Sequence, residues 1–270
     1  MINVQDEYRG LLSGILHGGE EKNDRTGTGT RSVFGRILRH NMELGFPLLT
    51  AKKIYFNHAI TELLWILQGR TDMYYLRHHG LTYWDDNYKK SGRTDNTLGP
   101  VYGKQLRDFD GVDQLKWVLE QIKQEPSSRR IMASLWNPTE LDDMALPPCH
   151  YGFQVYINNN KLSIAWSQRS VDVFLGLPYD LAMYGLLLLM LAKGSGYEPG
   201  DLICFLGDCH IYNNHIKQAL EYLSRADGKL PTVELKKGLS LAHDVIIPTH
   251  EDITLIGYKP AGTIKAPLAT

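Results

Sequence analysis

The sequence predicts a single α/β (α+β) domain spanning residues 1–270, and three observations lead there. The 270 residues are 43% hydrophobic and 22% charged, enough apolar material for one large core and too ordinary for a disordered, collagenous or coiled-coil chain. Segments with apolar residues at helical spacing are interleaved with short apolar runs bounded by Gly, Asn and Pro, the signature of mixed helices and strands. No internal repeat, low-complexity tract or Pro/Ser-rich linker marks a boundary.

Taken in order, Leu11, Leu12, Ile15 and Leu16 recur at the spacing of an amphipathic opening helix. Residues 24–30, DRTGTGT, have the Gly and Thr content of a loop but lack the phosphate-loop pattern. Ile60, Leu63, Leu64 and Leu67 define a helix over 58–68 with Gly69 at its C-terminal end, and Glu62 lies inside that apolar run. Residues 89–97 are polar and unpatterned, a surface excursion. Residues 111–124 read as an amphipathic helix stopped by Pro126, and 131–136, 153–157 and 162–166 as strands, the last two joined by a turn at 158–161. Pro178 precedes a continuously apolar helix over 179–193, buried on nearly all sides, and 202–206 and 253–258 add two strands.

Charge and cysteine usage narrow the function. Lys and Arg total 29 against 30 Asp and Glu, a net charge of -1, so no field of one sign exists to hold nucleic acid, and any bound phosphate is small. The N-terminus lacks the basic and apolar regions of a signal peptide, and the longest apolar run, 181–192, falls short of the roughly 20 residues that cross a bilayer. A cytoplasmic protein with no membrane partner is expected. Cys149, Cys204 and Cys209 lack paired spacing, which argues for free thiols and against a disulfide framework or a metal site.

Four stretches carry chemistry-bearing side chains. Pro147-Pro148 hold the chain extended ahead of Cys149 and His150; alone, the thiol reads first as buried and second as a nucleophile. Ser167 to Asp172 crowd polar groups between a strand and the next turn, which ordinary turn chemistry would also explain. Arg129-Arg130 stand before an apolar strand, usually a solvated entry, and neighbouring side chains on extended backbone point to opposite faces. His210 and His215 are five apart, not the spacing of a helical metal pair, so no metal is expected.

Together these stretches closely resemble the thymidylate synthase family. The matching segments are DRTGTGTRSVFG (24–35), FPLLTAKK (46–53), ELLWILQG (62–69), LGPVYGKQLRDF (98–109), SRRIMASLWNP (128–138), MALPPCHYGFQVY (144–156), QRSVDVFLGLPYDLAMYGLLLLMLA (168–192), GDCHIYNNH (207–215) and IKAPLAT (264–270), in family order. The resemblance implies a large mixed twisted sheet packed by helices, with sheets back to back in a homodimer whose active sites are shared. It also implies transfer of a one-carbon unit from 5,10-methylenetetrahydrofolate to C5 of a pyrimidine nucleoside monophosphate. Cys149 resembles the nucleophile that adds to C6, making C5 enamine-like, with Arg169 favouring its thiolate. Arg25, Arg169 and Ser170 match phosphate ligands, joined by Arg129 and Arg130 from the other subunit. Gln168 falls in the nucleotide-binding segment, and His210 and Tyr212 match the pair on the sugar 3′-hydroxyl. Asp172 resembles the pterin contact, Leu146 and Tyr179 its apolar walls, and Lys52 a contact for the glutamyl tail; Trp84, Gly176 and Thr270 fall in the folate-binding segments. Glu62, Tyr102 and His150 match a buried proton-handling network.

The chain departs from the synthase pattern at three places. Where synthases of dUMP read LPFN, this chain reads LPYD at 177–180. An Asn there can both accept from uracil N3–H and donate to O4; Asp180 cannot donate, and suits cytosine with its N4 amino group and protonatable N3. The alternative is that Asp180 is only a helix cap after Pro178. Family members with Asp at this place are (deoxy)cytidylate 5-hydroxymethyltransferases, in which water rather than hydride fills the methylene on C5. Asn87 replaces a Trp and Thr270 an aliphatic end, and both admit polarity. The resemblance therefore implies a cytidylate hydroxymethyltransferase, dCMP preferred and CMP possible, releasing tetrahydrofolate. The alternatives are a C5-methylating synthase acting on dCMP or dUMP and, from a different class, an idle nucleotide- or RNA-binding homologue.

Overall fold

The computed structural model describes residues 2–268. Helix α1 (Val4–Gly18) opens the chain; the Asn3 side chain caps it by accepting from the Gln5 N–H, and Tyr8, Leu11, Leu12 and Ile15 form its buried face. Strands β1 (Glu20–Lys22) and β2 (Thr30–Asn41) follow. Then come four helices on one side: α2 (Phe56–Leu67), α3 (Met73–His78), α4 (Asp85–Lys90) and α5 (Tyr102–Arg107). After α6 (Gln114–Gln124) the chain lays down β3 (Met132–Ser134), β4 (His150–Asn158) and β5 (Lys161–Asp172), crosses through α7 (Leu177–Ser195), and returns as β6 (Glu198–Tyr212). The remainder is α8 (Ile216–Ser224), β7 (Thr232–Leu235), a two-residue pair β8 (Ser240–Leu241) and β9 (Val245–Ile246), and β10 (Ile253–Ile256).

The main sheet has six strands in the order β1-β2-β6-β5-β4-β3, mixed because β5 and β6 run parallel while the other neighbours are antiparallel. A parallel pair needs a crossover, and α7 supplies it, packing between β5 and β6 on one side and α2 on the other. This explains why α7 is apolar all round: Leu181, Leu186, Leu188, Met190 and Leu191 are all buried. By length and composition α7 is apolar enough to cross a bilayer, contrary to the estimate of length from the apolar run alone, but most of it is buried within the fold.

Several sequence expectations are corrected. The polar run 167–172 is the second half of strand β5 rather than a turn, because Ser167, Gln168, Ser170, Val171 and Asp172 pair across β4 or β6 and the Arg169 N–H donates to the Cys149 carbonyl. The helix expected from Gly111 begins at Gln114, since Asp110 and Gly111 adopt positive φ and Asp113 accepts from the Lys116 N–H as the cap. The strand expected over 131–136 shrinks to Met132–Ser134, and the one at 253–258 pairs with β7 in a separate two-stranded sheet. The excursion at 89–97 starts inside α4. Strand β2 was not legible at all: four consecutive residues, Phe34 to Ile37, face solvent, which erases the alternation that announces a strand.

One close approach fixes α2 against α5. Helix α2 ends with Gly69 at φ +71°, its N–H and that of Arg70 donating to Ile66 and Trp65 carbonyls. The chain then passes directly against α5, where a Cβ on Gly103 would stand 2.4 Å from the Arg70 carbonyl oxygen. Gly103→Ala is therefore expected to destabilise the fold by about 1–3 kcal/mol, the usual cost of overpacking, and to displace the neighbouring Tyr102. Urea unfolding of the variant with an unchanged midpoint would refute this reading of the α2–α5 contact.

Candidate active site

A cleft of about 710 Å³ opens at the ends of β5 and β6, roofed by α2, α4 and the first turn of α7. Cys149 stands at its floor, at the foot of β4. A bulge between His150 and Gly152, where the two strands shift register, ends the regular pairing with β5 at this point. The Cys149 backbone is held from two sides: its N–H donates to the Tyr102 hydroxyl (2.9 Å) and its carbonyl accepts from the Arg169 N–H (2.8 Å). The Arg169 guanidinium donates to the Pro148 and Pro147 carbonyls (2.8 and 3.0 Å) and lies over the Trp136 ring. The prolines thus leave free carbonyls that fix the arginine beside the thiol.

Arg169 draws the Cys149 pKa down as expected, but burial outweighs it and pushes the thiol up to about 11, with Asp180 and Asp172 adding to the rise. Arg169 thus acts in the expected direction, and within the single chain burial is the larger influence on the thiol. His150 is stacked on Tyr102 at 4.3 Å, and its Nδ1 is 2.9 Å from the Tyr184 hydroxyl. Burial lowers its pKa to about 3, so the ring stays neutral.

Glu62 occupies the α2 wall. Its two oxygens accept separately, one from the Tyr83 hydroxyl and the other from Trp84 Nε1 (2.9 Å). Burial raises its pKa, and these two hydrogen bonds restrain the rise. Asp180 stands opposite on α7. Its side chain caps no helical N–H, since the cap is Gly176 without a side-chain bond; instead Asp180 Oδ2 accepts from Gln168 Nε2 at 2.9 Å. Burial pushes its pKa up to about 7, opposed by Gln168 and reinforced by Glu62 and Asp172. The capping alternative is thereby excluded by geometry.

Asp172 Oδ1 accepts from the N–H groups of Phe174 and Leu175, turning the chain from β5 toward α7. At the far end lie Arg25, Ser170, His210 and Tyr212, the last two edge to face at 5.2 Å. Leu146, Trp84, Gly176 and Tyr179 line the cleft as well, and Asn87 joins them. Three expected residues do not. Lys52 is 3% exposed, with Nζ on the Phe174 carbonyl and above its ring, and burial lowers its pKa to about 7. Arg129 and Arg130 are exposed before β3, outside the cleft lining. Thr270 lies outside the described residues, although Leu268 reaches the cleft.

The residues that sequence reasoning missed are Tyr83 and His58 on the apolar side and Lys22, Asp24 and Asp208 at the polar end. Asp24 accepts from the Thr26 and Gly29 N–H groups and so shapes the loop that presents Arg25. Its place in DRTGTGT signals that turn; nothing local signals Tyr83, which meets Glu62 only through tertiary packing.

Because Asp180 keeps its proton to about pH 7 in the folded chain but ionises near 3.8 when unfolded, its contribution favours folding below 3.8 and is lost as pH rises through 7. Asp180→Asn removes that pH dependence, so the variant should gain stability over the parent across this window and hold the gain above it. Thermal midpoints of both proteins, compared between about pH 5 and pH 8, check this; parallel curves would mean that Asp180 is ionised throughout.

A cleft that joins a half-buried thiol, a neutral imidazole, two carboxylates of raised pKa and arginines at one end suits nucleophilic addition to a phosphorylated ring. The family model described as thymidylate synthase matches residues 6–270, nearly the whole chain. Its members carry out folate-dependent one-carbon transfer to C5 of a pyrimidine nucleotide with methylenetetrahydrofolate as donor, and this chain belongs to the thymidylate synthase family.

Proposed function

We propose that this enzyme is a (deoxy)cytidylate 5-hydroxymethyltransferase, with dCMP the preferred nucleotide and tetrahydrofolate the second product. The observation that carries the reading is Asp180: one oxygen is held by Gln168, and the other, Oδ1, has no hydrogen-bond partner among the described residues while the residue lines the cleft. An acceptor offered to the base matches the N4 amino group of cytosine and opposes O4 of uracil. With a pKa near 7, Asp180 can also share a proton with N3, which withdraws charge from the ring and favours addition of Cys149 at C6.

Arg25, Arg169 and Ser170 would hold the phosphate, and His210 and Tyr212 the sugar hydroxyl. Leu146, Trp84, Gly176 and Tyr179 offer the folate an apolar wall with Asp172 as its polar contact. Folate supplies the carbon. Glu62 and Tyr102, on the cleft lining, would move protons between water and the ring, and Asn87 on the same wall favours water over hydride as the last reactant. A C5-methylating synthase is the second reading, favoured by Trp84, which is buried with its indole on Glu62 and keeps that wall dry. Incubation with dCMP and methylenetetrahydrofolate is expected to give a nucleotide whose mass corresponds to an added hydroxymethyl group, with no rise in dihydrofolate absorbance. A methyl product with matching dihydrofolate would replace this reading by the second.

The site is completed by a homodimer in this reading. The face of the sheet away from α7 exposes Ile37, Tyr151, Tyr156 and Phe205, an apolar surface that a second copy would cover. Arg129 adjoins that face, its carbonyl accepting from Gln154 Nε2 at 2.9 Å, and in this reading its side chain serves the partner's cleft. Two further guanidinium groups by the phosphate would also draw down the Cys149 pKa. Mixing inactive Cys149→Ala chains with inactive Arg129→Ala/Arg130→Ala chains is expected to restore up to about a quarter of the activity through hybrids with one intact site. Verified hybrids without turnover would show that each chain uses its own arginines.

A further inference from the structure

The base-facing carboxylate is held by an amide, and an amide has two ends of similar shape and opposite polarity. Gln168 could present either its NH₂ or its C=O to residue 180; the first supports an ionised Asp180 with both oxygens accepting, whereas the second requires the carboxyl to keep a proton. The groups around Gln168 decide between them. Its Oε1 accepts from Trp166 Nε1 at 3.2 Å, while its Nε2 donates both to Asp180 Oδ2 at 2.9 Å and to the Ser170 carbonyl at 3.2 Å. The indole N–H is a donor only, and the Ser170 carbonyl an acceptor only. Turning the amide over would set N–H against N–H at Trp166 and oxygen against oxygen at Ser170 and Asp180, so three contacts oppose the flip together.

The indole is itself immobile. Trp166 is fully buried, and its ring lies on Tyr184 at 4.6 Å with the planes 2° apart. Tyr184 sits one turn beyond Asp180 on the same helix, and its hydroxyl is engaged with His150 Nδ1 at 2.9 Å. The ring that orients Gln168 is thus clamped by the helix that carries Asp180, and donor and carboxylate are held in one frame.

We propose that Trp166 is a positioning residue for base selection: its indole N–H locks the Gln168 amide so that only the amino end faces residue 180. The lock deepens the reading of Asp180 given above and rests on it. With it in place, Asp180 is presented as an acceptor. Without it, one of the three contacts that orient the amide is lost, the Nε2 donor is held less firmly on Oδ2, and the carboxyl more readily keeps its single proton, which on Oδ1 can be donated to O4 of uracil. The raised Asp180 pKa, which the Gln168 donor restrains, is consistent with this direction.

The test removes the N–H and keeps the ring. Trp166→Phe retains the aromatic stack, and site-specific incorporation of 3-benzothienylalanine at position 166 retains the full indole shape without a donor, so the second variant folds even if the first does not. Dissociation constants for dCMP and dUMP are measured by calorimetry on the full chain. The ratio favouring dCMP is expected to fall about five-fold or more, the scale of one unmade buried hydrogen bond. A common loss of affinity for both nucleotides, or an unchanged ratio in the isosteric variant, would reduce Trp166 to a packing residue and overturn the lock. Asp180→Asn run alongside separates the two ideas. If it leaves the ratio untouched, base recognition by Asp180 fails, whereas a ratio that moves with Asp180→Asn and not with the donorless ring overturns the lock alone.

Discussion

Removing carboxylates from water beside a nucleophilic thiol is the constraint around which this molecule is arranged. Glu62, Asp172 and Asp180 share one cleft with Cys149, and each needs donors to compensate lost hydration. Glu62 receives Tyr83 and Trp84, Asp172 two backbone N–H groups, and Asp180 the Gln168 amide. These donors come from the residues just before α4, the β5–α7 turn and β5 itself, so holding the charges holds the elements. The compensation is partial by design of the surroundings: Glu62 and Asp180 both remain easier to protonate than a solvated carboxylate. A group poised near neutrality is the kind that can take and return a proton during turnover.

The sheet provides the rigidity that this arrangement requires. The parallel β5–β6 pair obliges the chain to cross through α7, and the crossover brings the first turn of α7 over the ends of the same strands. Asp180 therefore stands above Gln168 as a consequence of connectivity, with Trp166 and Tyr184 stacked between strand and helix just below. Among the described residues no helix lies over the opposite face of the sheet, which keeps Ile37, Tyr156 and Phe205 in the open. Helices complete one side of the core; in our proposed reading a second copy covers the other side and completes the phosphate end of the cleft.

Much of this was legible in the linear pattern, wherever the determining contacts are local. The helical periodicity of α2, the all-round apolarity of α7, the Asn-rich turn between β4 and β5, and the prolines before Cys149 each follow from neighbouring residues acting on one backbone. The family likeness then picked out the cleft residues, sixteen positions of which the fold brings together from segments as distant as Arg25 and Tyr212. Strand β2 escaped detection because its middle is exposed on the uncovered face, so its alternation is hidden without the sheet. The polar half of β5 read as a turn because its side chains are paired by the cleft rather than by the strand.

The sequence by itself determined the fold class, the order of most of the elements, the family and the presence of an aspartate where a base-reading amide is usual. Only the tertiary structure decided what those groups are. That Asp180 bonds to Gln168 instead of capping its helix, that burial raises the Cys149 pKa against the pull of its arginine, that Lys52 is buried on Phe174, and that Tyr83 closes on Glu62 all depend on contacts between residues far apart in the chain. The physical reason is range. Backbone preference and hydrophobic period are set within a few residues, whereas the protonation state of a buried group depends on the water excluded and the donors supplied by every segment around it.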